Sequence, residues 1–414
     1  MNSGSTAGRG RASGFSDWLG GTAARRQDLA AAFVNAFQAW GYDLVATPLV
    51  ETLETVAVGV GAPQQAQLFR FVDSDGTLLA LVGERTVSVA RAVAGQLQGA
   101  PFPLRLCYAG PVLRNAPLLG GRRRESLQAG CELIGHGGLT ADAECIALAA
   151  AALERGGVEG AHVDVGHADF VPGLLESAGL PPETQERVRN ALTHRDLVAV
   201  EAALQGTEIA EAERRLLLAF PTLRGGREIL DTAAAGLGGE RPRRALADLA
   251  TLWDVLEGYG ISTRIHLDLG AVRDWDYYTG VIFEVFSAKS GFPLGNGGRY
   301  DSLLGRFGFD APAAGFVLHV DRCLGSVATA EPAGSGGSVV RITWSPGSHR
   351  QAVQCARRMR DAGIAASCDL EPSEAFSAGA SVHVDGTRAR WGADGASAEG
   401  SYEAAVAAIL EATR

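Results

Sequence analysis

The sequence predicts an α+β fold, an antiparallel sheet flanked by helices, with a helical insertion and a small C-terminal α/β domain. Strand-like segments with alternating apolar residues lie on both sides of a long stretch with helical periodicity. A second run of strand and helix patterns follows a segment with the composition of a linker. The 414 residues are too many for one simple core, and a hydrophobic content of 46% can fill two or three.

Changes of composition along the chain suggest the domain boundaries. We divide the chain into a flexible tail (1–12), a core domain in two parts (13–164 and 259–330), a helical insertion (165–258), a linker (331–338) and a small α/β domain (339–414). The tail is rich in glycine, serine and arginine and has nothing to bury. The linker reads EPAGSGGS, which favours a flexible connection.

The first predicted helix opens the core domain. Its apolar residues recur at three- and four-residue spacing, as Leu29, Phe33, Phe37 and Trp40. Gly41 stands where a helix C-cap is expected. The β-rich segment YDLVATPLVET follows, and its Pro48 favours a sheet edge or a strand end.

The next segments predict strands and two more helices. LFRFVDSDGTLLALVG is typical of a hairpin with Asp75-Gly76 as its turn, and TVSVARAVAGQL of a short helix. PLRLCYAGPVLRN and ESLQAGCELIG predict two strands joined by an arginine-rich loop, which suggests an antiparallel pair. DAECIALAAAALERGG predicts a helix.

The insertion is predicted to be entirely helical, from LPPETQERVRNALTHRDLVAVEAAL to ALADLATLWDVLEGYG. Strands resume at ISTRIHLDL and DYYTGVIFEVF. We interpret the glycine-rich GNGGRY as a tight turn between strands. A phosphate-binding loop is the weaker alternative, because the strand–loop–helix setting of such loops is missing. The C-terminal domain is predicted from SVVRITW, the helix HRQAVQCARRMRDAG, IAASCDL and the helix SYEAAVAAILEAT.

Composition narrows the class of protein. A net charge of −10 and a pI near 5.4 disfavour a protein whose whole surface binds the phosphates of a nucleic acid. No apolar run reaches the roughly 20 residues of a membrane helix, and the N-terminus lacks the apolar segment of a signal peptide, so we expect a cytoplasmic protein. Lys289 is the single lysine, which leaves one candidate for Schiff-base chemistry.

Cysteine and histidine spacing points away from metal and disulfide chemistry. The six cysteines form no CxxC pair and several lie in apolar runs, which predicts free, buried thiols. The eight histidines show neither HExxH nor another paired metal spacing, and no GxSxG elbow is present. Metallohydrolases and serine hydrolases are therefore disfavoured, and we expect no metal and no cofactor.

One predicted strand has an unusual polar face. In ESLQAGCELIG, alternation places Gln128, Gly130 and Glu132 on one face and an apolar set on the other. Such a face is either the floor of a site for a small ligand or an ordinary solvent-exposed sheet face, and the pattern does not decide between them. Near a later strand, Tyr277 and Tyr278 follow Arg273, although tyrosines there are more often packing residues.

Taken together and in this order, these segments resemble the class II aminoacyl-tRNA synthetases. The first helix with GYDLVATPLVE resembles motif 1, GPVLRN with GGRRRESLQAGCELIG resembles motif 2, and AAGFVLHVDRCL resembles motif 3. RDWDYYTGVIFE is similar to the R-G-x-D-Y-Y-T-G-x-x-F-E signature of histidyl-tRNA synthetase. The resemblance covers roughly residues 13–330, and it implies a six- or seven-stranded antiparallel sheet and a dimer formed through motif 1.

The resemblance also implies a set of histidine-binding residues. Glu84 matches the acid that holds the α-ammonium, Arg273 the cation that holds the carboxylate, and the tyrosine pair the wall around the imidazole. The histidine-binding positions are Glu84, Thr86, Arg114, Gln128, Glu132, Arg273, Tyr277 and Tyr278. A zwitterionic ligand needs both a carboxylate and a guanidinium, and this set provides both.

Departures from the family pattern fall at the ATP positions. Ala116 replaces the motif 2 glutamate that holds adenine, and alanine cannot accept that hydrogen bond. Asp274 replaces a signature glycine, Val82 replaces an arginine, and His319 replaces the second glycine of motif 3. We interpret the following as degenerate ATP-site positions: Ala116, Arg122, Asp274, His319 and Arg322. Aminoacylation is therefore predicted to be lost, and no residue is assigned a catalytic role.

This pattern of retained and lost positions resembles the HisZ branch of the family, the regulatory subunits of ATP phosphoribosyltransferase. The resemblance implies a short catalytic partner, HisG, in a hetero-octamer, and histidine as an effector. Residues 338–414 hold 8 arginines against 9 acids, a poor surface for tRNA. Two alternatives stay open, an active histidyl-tRNA synthetase and a free-standing histidine sensor.

Overall fold

The chain folds into two compact units, Met1–Ala328 and Thr329–Arg414. The structure is a computed structural model, and it describes residues 11–117, 123–194, 196–220, 223–271, 277–327, 339–373, 381–393 and 396–412. The predicted linker 331–338 and most of the predicted tail lie outside the described residues.

Helices of the first unit occupy both the core and the insertion. They are α1 (Gly20–Ala39), α2 (Leu53–Gly59), α3 (Ala62–Gln65), α4 (Arg85–Gln96), α5 (Leu139–Arg155), α6 (Phe170–Ser177), α7 (Pro182–Thr193), α8 (Leu197–Leu204), α9 (Glu211–Ala219), α10 (Glu228–Ala234), α11 (Glu240–Gly258) and α12 (Val320–Cys323). Short 3-10 turns lie at Ser262–Arg264, Leu304–Phe307 and Leu324–Ser326.

Strands of the first unit form a large sheet and a small one. They are β1 (Asp43–Leu44), β2 (Val50–Thr52), β3 (Arg70–Val72), β4 (Leu78–Leu81), β5 (Leu104–Leu113), β6 (Glu125–Ile134), β7 (Ala161–His167), β8 (Arg224–Gly225), β9 (Ile265–Asp268), β10 (Val281–Ser287), β11 (Gly295–Arg299) and β12 (Ala313–His319).

The large sheet has nine strands in the order β1-β5-β6-β12-β11-β10-β7-β9-β8. The pairs from β5 to β7 are antiparallel, as predicted, whereas β1 pairs with β5 and β7 pairs with β9 in parallel. The predicted α+β class is confirmed, and the sheet is larger than the family resemblance implied because short strands extend both edges.

One face of this sheet packs on helices α1 and α5. The predicted periodicity of α1 is confirmed, because Leu29, Phe33 and Phe37 are buried in the main apolar core. Leu133 of β6 lies in the same core, so alternation leaves Gln128 and Glu132 on the opposite face. The sheet therefore presents its polar positions away from α1 and α5.

The small sheet contains the predicted hairpin. Strands β3 and β4 pair antiparallel, and β2 pairs with the other edge of β4. The Asp73 N–H donates to the Thr77 carbonyl at 2.9 Å to close the turn, in which Gly76 has φ +89°. Glycine adopts this left-handed conformation without the steric cost that a side chain would add.

Two predictions about the middle of the chain were wrong. GNGGR is not a turn but strand β11, paired on both sides within the large sheet. Its glycines leave no alternation of apolar side chains that would mark a strand. A Cβ at Gly297 would meet the ring of Phe283, so close packing requires a glycine at that position. The insertion is also not wholly helical, because β8 adds an edge strand beside β9.

The second unit has its own sheet and core. Its elements are β13 (Val340–Trp344), α13 (His349–Asp361), β14 (Ala366–Cys368), β15 (Ser381–Asp385), β16 (Arg388–Ala393), β17 (Ala396–Ser401) and α14 (Tyr402–Ala412), with strand order β14-β13-β15-β16-β17. Cys355 and Met359 of α13 are fully buried against the sheet. Strands β15 to β17 were not predicted from the sequence: β16 and β17 are rich in glycine, alanine and charged residues, and β15 alternates over only two valines, Val382 and Val384.

The six cysteines are free, as predicted, and five of them are buried, Cys368 being half-buried. Across the described ranges, every helix is too short or too polar to cross a membrane.

Candidate functional site

A cavity of about 550 Å³ lies over the polar face of the large sheet. Strands β5, β6, β10, β11 and β12 supply its floor, and the segments after β4 and before β10 supply its walls. The side chains around it include Gln67, Glu84, Thr86, Tyr108, Arg114, Ala116, Arg123, Arg124, Ser126, Gln128, Tyr277, Tyr278, Glu284, Asn296, Tyr300, His319, Asp321 and Arg322. The cavity therefore has acidic, aromatic and cationic sections.

Glu132 forms the buried base of the acidic section. Its carboxylate accepts hydrogen bonds from the hydroxyls of Tyr108, at 3.2 Å, and Tyr300. Burial raises the pKa of Glu132 to about 8, against the opposing effect of these hydrogen bonds. The polar face of β6 is thus not a solvent-exposed face, because Gln128 and Glu132 are each only 1% exposed.

Glu84 lies on the opposite wall, just before α4. The Tyr277 hydroxyl donates to its Oε1 at 2.5 Å, and its Oε2 has no hydrogen-bond partner among the described residues. Burial raises the pKa of Glu84, and the charge of Arg114 opposes this shift. A buried carboxyl oxygen without a partner is costly, so a donor from a ligand would be favourable here.

Close packing around Glu132 depends on two glycines. Strand pairing puts Gly315 of β12 opposite Glu132, and a Cβ at that position would clash with the carboxylate. Gly130 lies beneath the Tyr108 ring, where a Cβ would meet the phenol oxygen. The glycines therefore make room for the carboxylate and the phenol.

The other end of the cavity is cationic. Arg114 is fixed by donation from its Nε to the Gly83 carbonyl at 2.8 Å. Arg322 donates to the Pro293 carbonyl at 2.8 Å and lies over the ring of Phe292, with 5.7 Å between the guanidinium carbon and the ring centroid. Arg114 lines the cavity from the segment after β5 and Arg322 from α12, so an anionic group of a ligand would be attracted to this end.

His319 occupies the space between the two ends. Its Nδ1 lies 3.5 Å from Nε2 of Gln128, and the side chain is buried. Burial, and then the charges of Arg322 and Arg114, lower the pKa of His319 well below its ordinary value. The imidazole is therefore neutral at physiological pH and takes up space that a glycine at this position would leave open.

An aromatic–arginine contact holds the loop that carries the cationic end. Trp18 lies between Arg26 and Arg123, whose guanidinium carbons are 5.0 Å and 4.3 Å from its ring centroid. Arg26 also pairs with Asp321 at 2.5 Å, and Asp321 accepts from the backbone N–H of Leu127 at 3.0 Å. The N-terminal segment thus fixes the start of β6 and helix α12 together.

The structure brings most of the predicted histidine-binding residues into one cavity. Those that line it are Glu84, Thr86, Arg114, Gln128, Tyr277 and Tyr278, and Glu132 lies behind Tyr108 and Tyr300. Arg273 lies outside the described residues. Of the degenerate positions, Ala116, His319 and Arg322 line the cationic half, whereas Arg122 and Asp274 lie outside the described residues.

Several cavity residues were not predicted from the sequence. Tyr108 could have been found, since alternation along LRLCYAGPVL puts it on the same face as Gly110 and opposite Gly130. Tyr300 and Asn296 were missed because GNGGRY was interpreted as a turn. Glu284 follows from the register of β10 with β11, which the sequence alone does not fix.

Comparisons with known proteins identify the family of the chain. Residues 14–323 match the family model described as histidyl-tRNA synthetase. The chain is 38% identical to the ATP phosphoribosyltransferase regulatory subunit of Moorella thermoacetica, over 91% of this chain and 96% of that protein. It is 37% identical to the protein of the same name from Geobacter sulfurreducens, over 81% of this chain and 77% of that protein.

Solved structures give the same result. The chain is similar to an ATP phosphoribosyltransferase regulatory subunit/histidyl-tRNA synthetase from Bacillus halodurans C, with a TM-score of 0.81 and 32% identity over 90% of this chain and 97% of that one. A histidyl-tRNA synthetase from Nostoc has a TM-score of 0.79 at 18% identity, over 98% of this chain and 99% of that one, and so shares the fold.

Proposed function

Since the chain belongs to the histidyl-tRNA synthetase family and, within it, to the ATP phosphoribosyltransferase regulatory subunits, we propose that it regulates a catalytic partner and catalyses no reaction itself. The partner is the short catalytic subunit, HisG, in a cytoplasmic hetero-octamer. This chain activates HisG in the first step of histidine biosynthesis and helps to make that step sensitive to histidine. It binds no tRNA in this role.

The acidic half of the cavity supports histidine as the effector. Glu84 and Glu132 are buried, and both have raised pKa values because burial disfavours their charged forms. An ammonium group can donate to Oε2 of Glu84, which has no partner among the described residues, and this relieves the cost of burying that carboxyl group. Glu132 lies behind Tyr108 and Tyr300 and supports the ligand through these two phenols. The phenols of Tyr108, Tyr277 and Tyr300 surround a ligand of that size with aromatic surface.

The cationic half supports the loss of amino-acid activation. Ala116 lines this half without any side-chain acceptor for adenine, and His319 fills space beside Gln128. Nucleotide binding needs specific acceptors and room for a base, and both are reduced here. The retained Arg114 and Arg322 still suit a carboxylate, so recognition of a zwitterion is kept without the activation chemistry.

Feedback control requires linkage between two equilibria. If histidine binds one conformation of the complex better than another, it shifts the population toward that conformation, and the substrates of the partner shift histidine binding by the same factor. The cavity is the place where this chain can distinguish histidine, so we assign the sensing step to it.

Reconstitution tests the proposal directly. The purified chain is mixed with the short HisG, and phosphoribosyl-ATP formation is measured with and without histidine. We expect the chain to stimulate the partner and histidine to inhibit the mixture. Absence of stimulation would overturn the regulatory role and leave a free-standing sensor as the alternative.

A second assay separates this proposal from an active synthetase. Histidine-dependent exchange of pyrophosphate into ATP is measured with the isolated chain. We expect no exchange above that of a boiled sample. Clear exchange would show that Ala116 and His319 do not prevent activation.

A conservative variant locates the sensing step. Tyr277→Phe removes the hydroxyl that donates to Glu84 and leaves the ring in place. We expect the histidine concentration for half-inhibition to rise roughly tenfold, the effect of about 1.4 kcal/mol. Tyr259→Phe, at a tyrosine that is 43% exposed, is the matched control. Equal inhibition in both variants would place sensing at the interface between the subunits.

A further inference from the structure

A second cluster of ligand-type side chains lies on the same face of the large sheet, beyond the cavity. His162 and Asp164 share one face of β7, two residues apart, and strand pairing puts His266 of β9 opposite Asp164. On its other side Asp164 lies opposite Glu284, which lines the cavity. The cluster therefore continues the polar row of the sheet toward the β8 edge.

The spacing of the three side chains fits a single metal ion. Each offers one ligand atom, and these atoms lie within 4.8 Å of one another. Oδ1 of Asp164 is 3.8 Å from Nε2 of His162 and 3.5 Å from Nδ1 of His266. Tetrahedral ligands with bonds of about 2.0–2.1 Å lie about 3.4 Å apart, so small side-chain movements would complete the geometry.

The guanidinium group of Arg224 already contacts two members of this cluster. The Arg224 guanidinium lies 2.6 Å and 2.7 Å from the two oxygens of Asp164 and 3.2 Å from Nε2 of His162. Because a guanidinium can only donate, this contact requires an unprotonated Nε2 on His162. The nitrogen lone pair and the carboxylate therefore converge on one point of positive charge.

The surroundings of the two imidazoles suit metal ligands. His162 stacks on Phe286 at 5.9 Å between centroids, and this contact limits rotation of the ring. Nδ1 of His266 has no hydrogen-bond partner in the described part of the chain, although it faces Asp164.

We propose that His162, Asp164 and His266 form a binding site for a divalent transition-metal ion such as Zn²⁺, which replaces the guanidinium of Arg224. Two imidazoles and one carboxylate are a ligand set that suits zinc, with water in the fourth position. Asp164 is buried and needs a positive partner, which the metal ion supplies when Arg224 leaves. The proposal is independent of the histidine cavity and of the catalytic partner.

Exchange of the two cations would act on the edge of the sheet. Arg224 belongs to the two-residue strand β8, and its side chain is 38% exposed, so it has a path to solvent. Metal binding would release this residue from Asp164 and loosen the link between β8 and β7. The Arg224–Asp164 ion pair would hold β8 in its present position, and a bound metal ion would leave β8 free to take another.

Metal binding to the full-length chain tests the proposal. The probe is Zn²⁺, titrated by calorimetry into tag-free protein in a histidine-free buffer, because free histidine chelates zinc. Co²⁺ absorbance then reports the coordination geometry. Every sample carries Cys368→Ser, which removes the half-buried thiol as a competing ligand. We expect one ion per chain and a tetrahedral Co²⁺ spectrum.

Three variants decide the location. His162→Ala and His266→Ala should each weaken zinc binding at least about tenfold, whereas Arg224→Gln should tighten it by a similar factor because the competing cation is gone. His194→Ala, at an exposed histidine of the insertion, is the matched control and should leave the affinity unchanged. Circular dichroism confirms that each variant is folded.

Two results would overturn the proposal. One is zinc binding that is absent, or that persists unchanged in both cluster variants. The other is binding that appears only after Arg224→Gln, because the natural role of the cluster would then be the ion pair alone.

Discussion

Glu132 shows how burial changes the chemistry of one residue. It lies under two phenols, and its pKa is raised from 4.5 to about 8 because burial disfavours the charged carboxylate. Between pH 4.5 and about 8 the folded chain therefore keeps a proton on Glu132, whereas the unfolded chain has lost it. The stability that this proton contributes is complete below pH 4.5 and is lost as pH rises through 8.

The variant Glu132→Gln tests this linkage. Glutamine imitates the protonated acid, so the variant should lack the share that Glu132 contributes to the decline in the free energy of unfolding between about pH 5 and 8, while the share from Glu84 remains. The difference should reach a few kcal/mol, since one pKa unit corresponds to about 1.4 kcal/mol. Urea denaturation at several pH values measures it. Parallel curves for the two proteins would contradict the raised pKa.

Gly315 is the second residue on which the site depends. Gly315→Ala would force a methyl group into the Glu132 carboxylate. We expect a loss of stability of about 1–3 kcal/mol from overpacking, together with weaker histidine binding measured by calorimetry. Gly325→Ala, where a Cβ would meet nothing within 4 Å, is the control. Normal histidine binding by Gly315→Ala would show that Glu132 is not part of the recognition surface.

Single residues differ in how far the sequence reveals them. Gln128 and Glu132 could be placed on one strand face because their strand alternates clearly, but alternation cannot say whether that face is covered. The walls of the cavity come from segments before α4 and before β10, and these make the face a floor. Tyr300 depends on the register of β11, which only the neighbouring strands define.

At the scale of elements, a buried ion pair joins β11 to α5. Arg299 pairs with Asp142 at 2.6 Å, and their side chains are 7% and 1% exposed. Arg299 also donates to the Gly138 carbonyl at 2.9 Å. The first turn of α5 is thereby tied to β11, the strand in the middle of the sheet that the sequence pattern failed to identify.

Removing one partner of this pair should be costly. Arg299→Met leaves Asp142 buried without its cation, and we expect a loss of about 3–5 kcal/mol in the free energy of unfolding. Arg241→Met, which breaks the exposed pair with Asp169, should cost about 1 kcal/mol or less. Thermal and urea denaturation of both variants provide the measurement. Equal effects would mean that Asp142 is relieved by protonation or by water.

Glycine-rich and mixed segments explain the wrong element predictions. Strand β11 carries three glycines in five residues, so neither apolar alternation nor β-branched side chains mark it. Its identity comes from pairing with β10 and β12, a tertiary effect. Helices α1 and α13 bury one regular apolar face each, at three- and four-residue spacing, and local periodicity therefore reveals them.

At the scale of the whole molecule, the small sheet carries a short exposed apolar strip, Val72 and Leu78. They are 63% and 53% exposed and lie opposite each other on one face, whereas Phe71, which is 41% exposed, lies on the other face. Apolar side chains grouped on a sheet surface are typical of interfaces between proteins. The family resemblance implied a dimer through motif 1, whose segment GYDLVATPLVE ends in β2 of the same small sheet, and we propose that this strip contributes to it.

A charge in the strip should shift the oligomeric state. We expect Val72→Asp to convert dimers to monomers at micromolar concentration, as seen by light scattering after gel filtration, because a carboxylate opposes burial of the strip. Val198→Asp, at a valine of α8 that is 77% exposed, is the control. A dimer that persists in Val72→Asp would place the interface elsewhere.

The arrangement of the cavity has a consequence for how such a protein can evolve. The residues that we propose for amino-acid recognition lie in β6 and just before α4, whereas Ala116 lies in the segment after β5 and His319 at the end of β12. The two sets of positions lie on different elements. Mutations at Ala116 and His319 can therefore change nucleotide binding without disturbing the residues proposed for amino-acid binding. An enzyme fold arranged in this way can lose its catalytic activity and keep its ligand-binding site. Natural selection can then use that site as a receptor.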